Sequence, residues 1–222
     1  MAKDPAKEQY VQIPSDGVLL DADLAIPKGA VGLVVFAHGS GSNRHSPRNR
    51  YVAEIMQKEG LGTLLVSQLT LEEEAEDIIT AKLRFDIPLL GRRLTGVVDW
   101  LRGNLEIAKL ELGAFGASTG AAGALLAAAE RPESVGAVVS RGGRPDLAMP
   151  VLDRVKAPTL LIVGGSDFPV IDMNRRALAA LTSEKELVIV PGATHLFEEP
   201  GTLEKVADLA KDWFLKYLNP TR

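Results

Sequence analysis

Three side chains far apart in the sequence carry the chemistry of acyl transfer: Ser118 in "FGASTGAAG", Asp167 ending "LLIVGGSD", and His195 ending "LVIVPGATH". Attack on an ester carbonyl needs an alcohol that loses its proton, a base to take it, a carboxylate to orient the base, and donors for the developing oxyanion. Serine, histidine and aspartate supply the first three. Ser118 lies within Gly116-Ala117-Ser118-Thr119-Gly120. In this G-x-S-x-G spacing the serine occupies a strained strand-to-helix turn, with its hydroxyl clear of the sheet. The flanking glycines suit such a turn because the two backbones approach too closely for a Cβ. A turn whose serine merely caps a helix would carry the same letters, so the surrounding elements decide between the readings.

Those elements recur as apolar runs: Gly32 to Ala37, Leu61 to Val66, Leu110 to Phe115, Gly136 to Ser140, Thr159 to Val163 and Glu186 to Val190. Continuous Val, Ile and Leu runs predict strands buried on both faces, as in a parallel sheet covered by helices. Helical spacing joins Leu90, Leu94, Val97, Val98 and Leu101, and again Leu203, Val206, Ala210, Trp213 and Tyr217. Alanine-rich Ala121 to Glu130 predicts a helix directly after the serine turn. Upstream, Tyr10 to Ile13 and Val18 to Ala25 flank the turn cluster Pro14 to Gly17 and predict an antiparallel hairpin on the sheet edge. Glu72-Glu73-Glu74 reads as the solvated first turn of a helix, where carboxylates suit the dipole.

In such a sheet, ligands bind beyond the carboxyl ends of the strands. His38-Gly39-Ser40, Ser67-Gln68, Ser118, Arg141, Asp167 and His195 all follow strand ends, so the fold would deliver them to one rim. The chain order serine, acid, histidine is that of the α/β-hydrolases. For the oxyanion hole we expect the backbone N–H of Thr119, after the nucleophile, and that of Ser40, with Gly39 or Gly41 as alternatives. His38 is placed better to order its loop by hydrogen bonding than to act as the base. His38, Ser67, Gln68 and Arg141 are candidate substrate contacts.

Composition narrows the class. The 222 residues are 46% hydrophobic and 24% charged, the profile of an ordinary soluble globular protein and a length suited to one domain spanning 1–222. A net charge of −4 provides no electrostatic footprint for nucleic acid. No apolar stretch of membrane-spanning length and no secretory h-region occur, so a cytoplasmic location is expected, with no membrane partner. Without cysteine, thiolate catalysis and Cys-based metal sites are excluded. His38, His45 and His195 lack zinc-protease spacing, so no metal site of that kind is expected.

The motifs His38-Gly39-Ser40-Gly41, Gly116-Ala117-Ser118-Thr119-Gly120, Gly164-Gly165-Ser166-Asp167 and Thr194-His195-Leu196-Phe197 resemble those of the α/β-hydrolase superfamily. Within it, the chain resembles the small, capless dienelactone-hydrolase-like group over nearly its whole length. The resemblance implies a mostly parallel sheet of about eight strands with helices on both faces, a serine nucleophile, an acyl-enzyme mechanism and no cofactor. Dienelactone hydrolase itself uses a cysteine where this chain has Ser118. Related bacterial hydrolases, some fused to phosphoribosyltransferase domains, share loops like "RHSPRN" and "SRGGRPDL". In them an Asp-Leu pair usually follows the strand that ends here at Val66, whereas this chain has Ser67-Gln68.

Only Arg141 to Pro158 separates two predicted strands where a cap would enter, too short for a helical lid. The expected cleft is therefore open, suited to a small acyl substrate. Arg44, Arg48, Arg141 and Arg144 lie on loops that could offer it an anion contact or could simply brace those loops. Two rivals stand beside the hydrolase reading: a binding protein on the same scaffold, and an engineered scaffold carrying a redesigned site near Ser67, which lacks a sequence-local base.

Overall fold

In the computed structural model, which describes residues 6–219, strands and helices alternate along most of the chain. The first five residues of the polar N-terminal segment, like both extremes of the 1–222 span, lie outside the described residues. A hairpin of β1 (Glu8–Ser15) and β2 (Val18–Ala25) leads into β3 (Gly32–Ala37), α1 (Pro47–Lys58), β4 (Leu61–Val66), α2 (Leu71–Thr80) and α3 (Ile87–Gly103). There follow β5 (Glu111–Ala117), α4 (Thr119–Glu130), β6 (Val135–Arg141), β7 (Thr159–Gly164), α5 (Phe168–Ala180), β8 (Lys185–Val190) and α6 (Thr202–Tyr217). Short 3-10 helices, Leu83–Phe85 and Pro145–Arg154, precede α3 and β7.

All eight strands join one sheet in the order β1-β2-β4-β3-β5-β6-β7-β8. The six strands from β4 to β8 are parallel, and the hairpin is antiparallel at the edge. The hairpin turn is shorter than its composition suggests. Pro14 and Ser15 continue β1, leaving Asp16 (φ 48°) and Gly17 (φ 80°) as the two turn residues, both with the positive φ that a tight hairpin turn requires.

Each central strand feeds two cores. In β3, Leu33, Val35 and Ala37 join α3 and α4 on one face, while Val34 and Phe36 join α1 and α6 on the other. This two-residue alternation explains why a strand covered on both faces reads as an uninterrupted apolar run. At the far edge the rule weakens: β8 has one neighbour, and Ile189 is 37% exposed. The α4 helix is buried over ten of its twelve residues, which explains its alanine content. Gly91 of α3 packs on Leu126, and Gly123 of α4 on Leu94.

The α2 helix corrects a second expectation. Thr70 and Glu73 form a reciprocal capping box, and Glu73 also grips the buried Arg93 of α3, with Nη2 donating to Oε1 at 2.6 Å. Glu73 is therefore a structural anchor rather than a solvated charge. Between β6 and β7, Pro145–Arg154 packs on α4 and α5, and no cap-like domain covers the strand ends. No described helix is long and apolar enough to cross a membrane.

Candidate active site

The β5 strand ends at Ala117 and α4 begins at Thr119, so Ser118 alone makes the turn. Its backbone has φ 49° and ψ −121°, a conformation that costs a side-chain-bearing residue about 1–3 kcal/mol. Neighbouring bonds hold it there. The Ser118 N–H donates to Arg141 O at 3.2 Å, and Ser118 O accepts from Arg144 N at 3.0 Å and Ala121 N at 3.1 Å. The elbow's glycines are dictated by contact: a Cβ on Gly116 would strike the Ala121 backbone, and one on Gly120 the carbonyls of Ala37 and His38. Across the cleft, a Cβ on Gly39 would stand 3.0 Å from Ser118 Cβ.

The acid and the imidazole come from adjacent strands. Two backbone bonds, Gly165 N to Val190 O at 2.8 Å and Ser166 N to Ala193 O at 2.9 Å, stitch together the loops after β7 and β8. A Cβ on Gly164 would collide with the carbonyls of Ala193 and Thr194. This close packing sets Asp167 beside His195, whose Nδ1 lies 2.7 Å from Asp167 Oδ2. Because a carboxylate accepts, Nδ1 carries the hydrogen and Nε2 is left as the basic nitrogen. Asp167 occupies the N-cap position of α5 but makes no capping bond, since its carboxylate is turned toward His195. The histidine loop is braced by Glu199, which accepts from Thr194 N at 3.1 Å and Thr194 Oγ1 at 2.6 Å. Sequence reasoning had not singled out this brace.

Ser118 and His195 line one cleft, together with Ser40, Ser42, Arg48 and Arg141. Thr119 is the first residue of α4, where a backbone N–H has no intrahelical acceptor. The Gly39–Ser42 loop separates this cleft from a second pocket lined by His38, Gln68, Glu74, Asp77 and Thr119, among others. His38 is 6% exposed and belongs to the loop's support: Nε2 accepts from Gln68 N at 2.9 Å, so Nδ1 carries the hydrogen and donates to Gly39 O at 2.9 Å. Burial pushes its pKa down to about 4, keeping it neutral. Gln68 donates a second bond from Nε2 to His38 O at 2.8 Å, and its backbone carbonyl accepts from Arg93 Nη1 at 2.7 Å.

Ser67 departs from its expected place. It is 4% exposed, its hydroxyl accepts from Arg44 N at 3.3 Å, its N–H donates to Asp21 O of the hairpin at 2.9 Å, and it lines neither cavity. Of the four loop arginines, Arg44 pairs with Asp21 and Asp23 and Arg144 with Asp146, whereas Arg48 and Arg141 face the cleft. Arg141 closes β6 and Arg48 lies in the first turn of α1, so neither is a loop residue.

The chain matches the dienelactone hydrolase family over residues 20–219. It is 60% identical to a dienelactone hydrolase from Anabaena variabilis, whose crystal structure aligns with a TM-score of 0.95 over 96% of this chain and 99% of that one. It is 53% identical over 217 residues to a Mycobacterium tuberculosis protein named provisionally as a phosphoribosyl transferase. That match takes in 98% of this chain and 48% of the other, so the chain spans about half the length of the curated relatives it matches. Est1E from Butyrivibrio proteoclasticus, 18% identical with a TM-score of 0.77 over 93% of this chain and 98% of that one, shares the fold. The serine elbow, the strand order and a family match reaching from β2 past α6 agree, and the chain belongs to the dienelactone hydrolase family.

Proposed function

We propose that this protein is a cofactor-independent serine hydrolase that cleaves small carboxylic esters, lactones or thioesters through an acyl-enzyme intermediate. The observation that carries this reading is the pairing of His195 Nδ1 with Asp167 Oδ2 at 2.7 Å at the cleft that Ser118 also lines. Ser118 Oγ attacks the carbonyl carbon while His195 Nε2 takes its proton, and Asp167 steadies the resulting imidazolium. The carbonyl oxygen becomes an oxyanion held by the backbone N–H groups of Ser40 and Thr119, the latter aided by the N-terminus of α4. Collapse of the tetrahedral intermediate expels the alcohol or thiol, which leaves with the proton from His195. Water then attacks the acyl-enzyme with His195 again as base, releasing the acid and restoring Ser118. A cleft with no cap-like domain over it suits small acyl substrates in a cytoplasmic enzyme.

An alkyl fluorophosphonate probe tests the reading. Stoichiometric labelling of the native protein, lost in Ser118→Ala, is expected, together with a burst of product from an activated ester. Absence of labelling in the folded native protein would support a binding protein on a hydrolase scaffold, and labelling that survives Ser118→Ala would place the nucleophile elsewhere.

A further inference from the structure

Arg141 is 7% exposed, and its Nε and Nη1 are buried without a hydrogen-bond partner among the described residues. A guanidinium so placed carries the desolvation penalty of a charge with no compensating bond. Burial, and after it repulsion from the neighbouring Arg48, lowers the Arg141 pKa to about 10, still cationic at neutral pH. Among the described residues, Arg48 Nε is likewise buried without a partner, and the Arg48 ion pair, to Glu198 at 3.1 Å, engages a carboxylate whose side chain is 64% exposed. Both arginines line the cleft of Ser118 and His195, and none of the described residues lining it is acidic.

Hydroxyls and a helix terminus border the same cleft, beside the apolar Ala117 and Leu196. Ser46, the N-cap of the twelve-residue α1, and Arg48 in its first turn both border the cleft, so the positive end of the helix adds to the two guanidiniums. Ser40 and Ser42 contribute hydroxyls to the same wall. A carboxylate presents two coplanar oxygens, which one guanidinium fork satisfies. Donors from two guanidiniums and several hydroxyls, in the positive field of a helix terminus, suit a tetrahedral anion, and two cationic side chains match a phosphate dianion better than a carboxylate.

We infer that the cleft holds a phosphate group borne by the substrate, gripped by Arg141 and Arg48 beside the N-terminus of α1, so that the enzyme acts on phosphorylated esters. The inference rests on the hydrolase reading in making this anion part of an ester, but the anion site can be tested without turnover. Thermal unfolding of the native protein and of Ser118→Ala is followed with inorganic phosphate, with acetate, and with sodium chloride at matched ionic strength. Phosphate at about 100 times its Kd should raise Tm by roughly 5–10 °C in both proteins. Arg141→Met should abolish the shift, and Arg48→Gln, at a more exposed position, should weaken phosphate binding at least about tenfold. If Arg141→Met does not fold, Arg48→Gln carries the test. In turnover, phosphate should raise KM for a neutral activated ester without lowering kcat. A shift no larger than that of chloride, an equal shift in the arginine variants, or acetate acting as strongly as phosphate would each overturn the inference. Phosphate binding without fluorophosphonate labelling would instead sink the hydrolase reading and leave the anion site standing.

Discussion

Ser118 is held where few side chains would settle. A φ of 49° is strained for serine, and the three backbone bonds to Arg141, Arg144 and Ala121 are what keep it there. The glycines beside it are needed for a different reason, since the Gly120 Cα faces the carbonyls of Ala37 and His38 at the start of the opposite loop. Gly120→Ala should therefore destabilise the fold by about 1–3 kcal/mol, because neither backbone can withdraw without moving β3 or α4. Urea unfolding followed by circular dichroism measures it, and an unchanged midpoint would show that the loop gives way freely. The pattern of glycines around the serine was legible in the sequence. Which of them faces which backbone was not, because the partners of Gly120 lie more than eighty residues upstream.

At the scale of elements, the Gly39–Ser42 loop is suspended from a chain of hydrogen bonds that starts on α2. Glu73 holds Arg93, Arg93 holds the carbonyl of Gln68, Gln68 donates to His38, and His38 donates to Gly39. Arg93 of α3 is 3% exposed, so deleting it strands the Glu73 carboxylate and the Gln68 carbonyl. Arg93→Met should cost roughly 3 kcal/mol, and adding Glu73→Gln should recover part of it, since the carboxylate is then no longer left charged and unpaired. Denaturant titrations of the two variants decide this; strict additivity of single-variant losses would mean that the pair is uncoupled. The sequence showed three consecutive glutamates suited to a helix start but could not show that the middle one meets an arginine twenty residues away.

For the molecule as a whole, His38 ties stability to pH. Folding holds it neutral with a pKa of about 4, against an ordinary value of 6.5, so between those values the unfolded chain binds more protons than the folded one. Stability is thus fully present above about pH 6.5 and falls as pH drops toward 4, by on the order of 3 kcal/mol from this residue. Unfolding midpoints in urea between pH 7 and 4.5 should decline, and His38→Gln should flatten that slope while lowering stability at neutral pH. A native midpoint that is level across the interval would contradict the buried, neutral histidine.

The order of strands and helices, the parallel character of the sheet and the Ser118, Asp167, His195 order were determined by the sequence alone, because hydrophobic period and turn chemistry are local properties written in consecutive residues. Tertiary structure decided which polar side chains face one another. It sent Ser67 under the hairpin, paired Arg44 and Arg144 with nearby aspartates, and left Arg141 buried at the cleft with Arg48. Each outcome depends on distances between loops that follow different strands, and those distances are set by the order and twist of the sheet rather than by spacing along the chain.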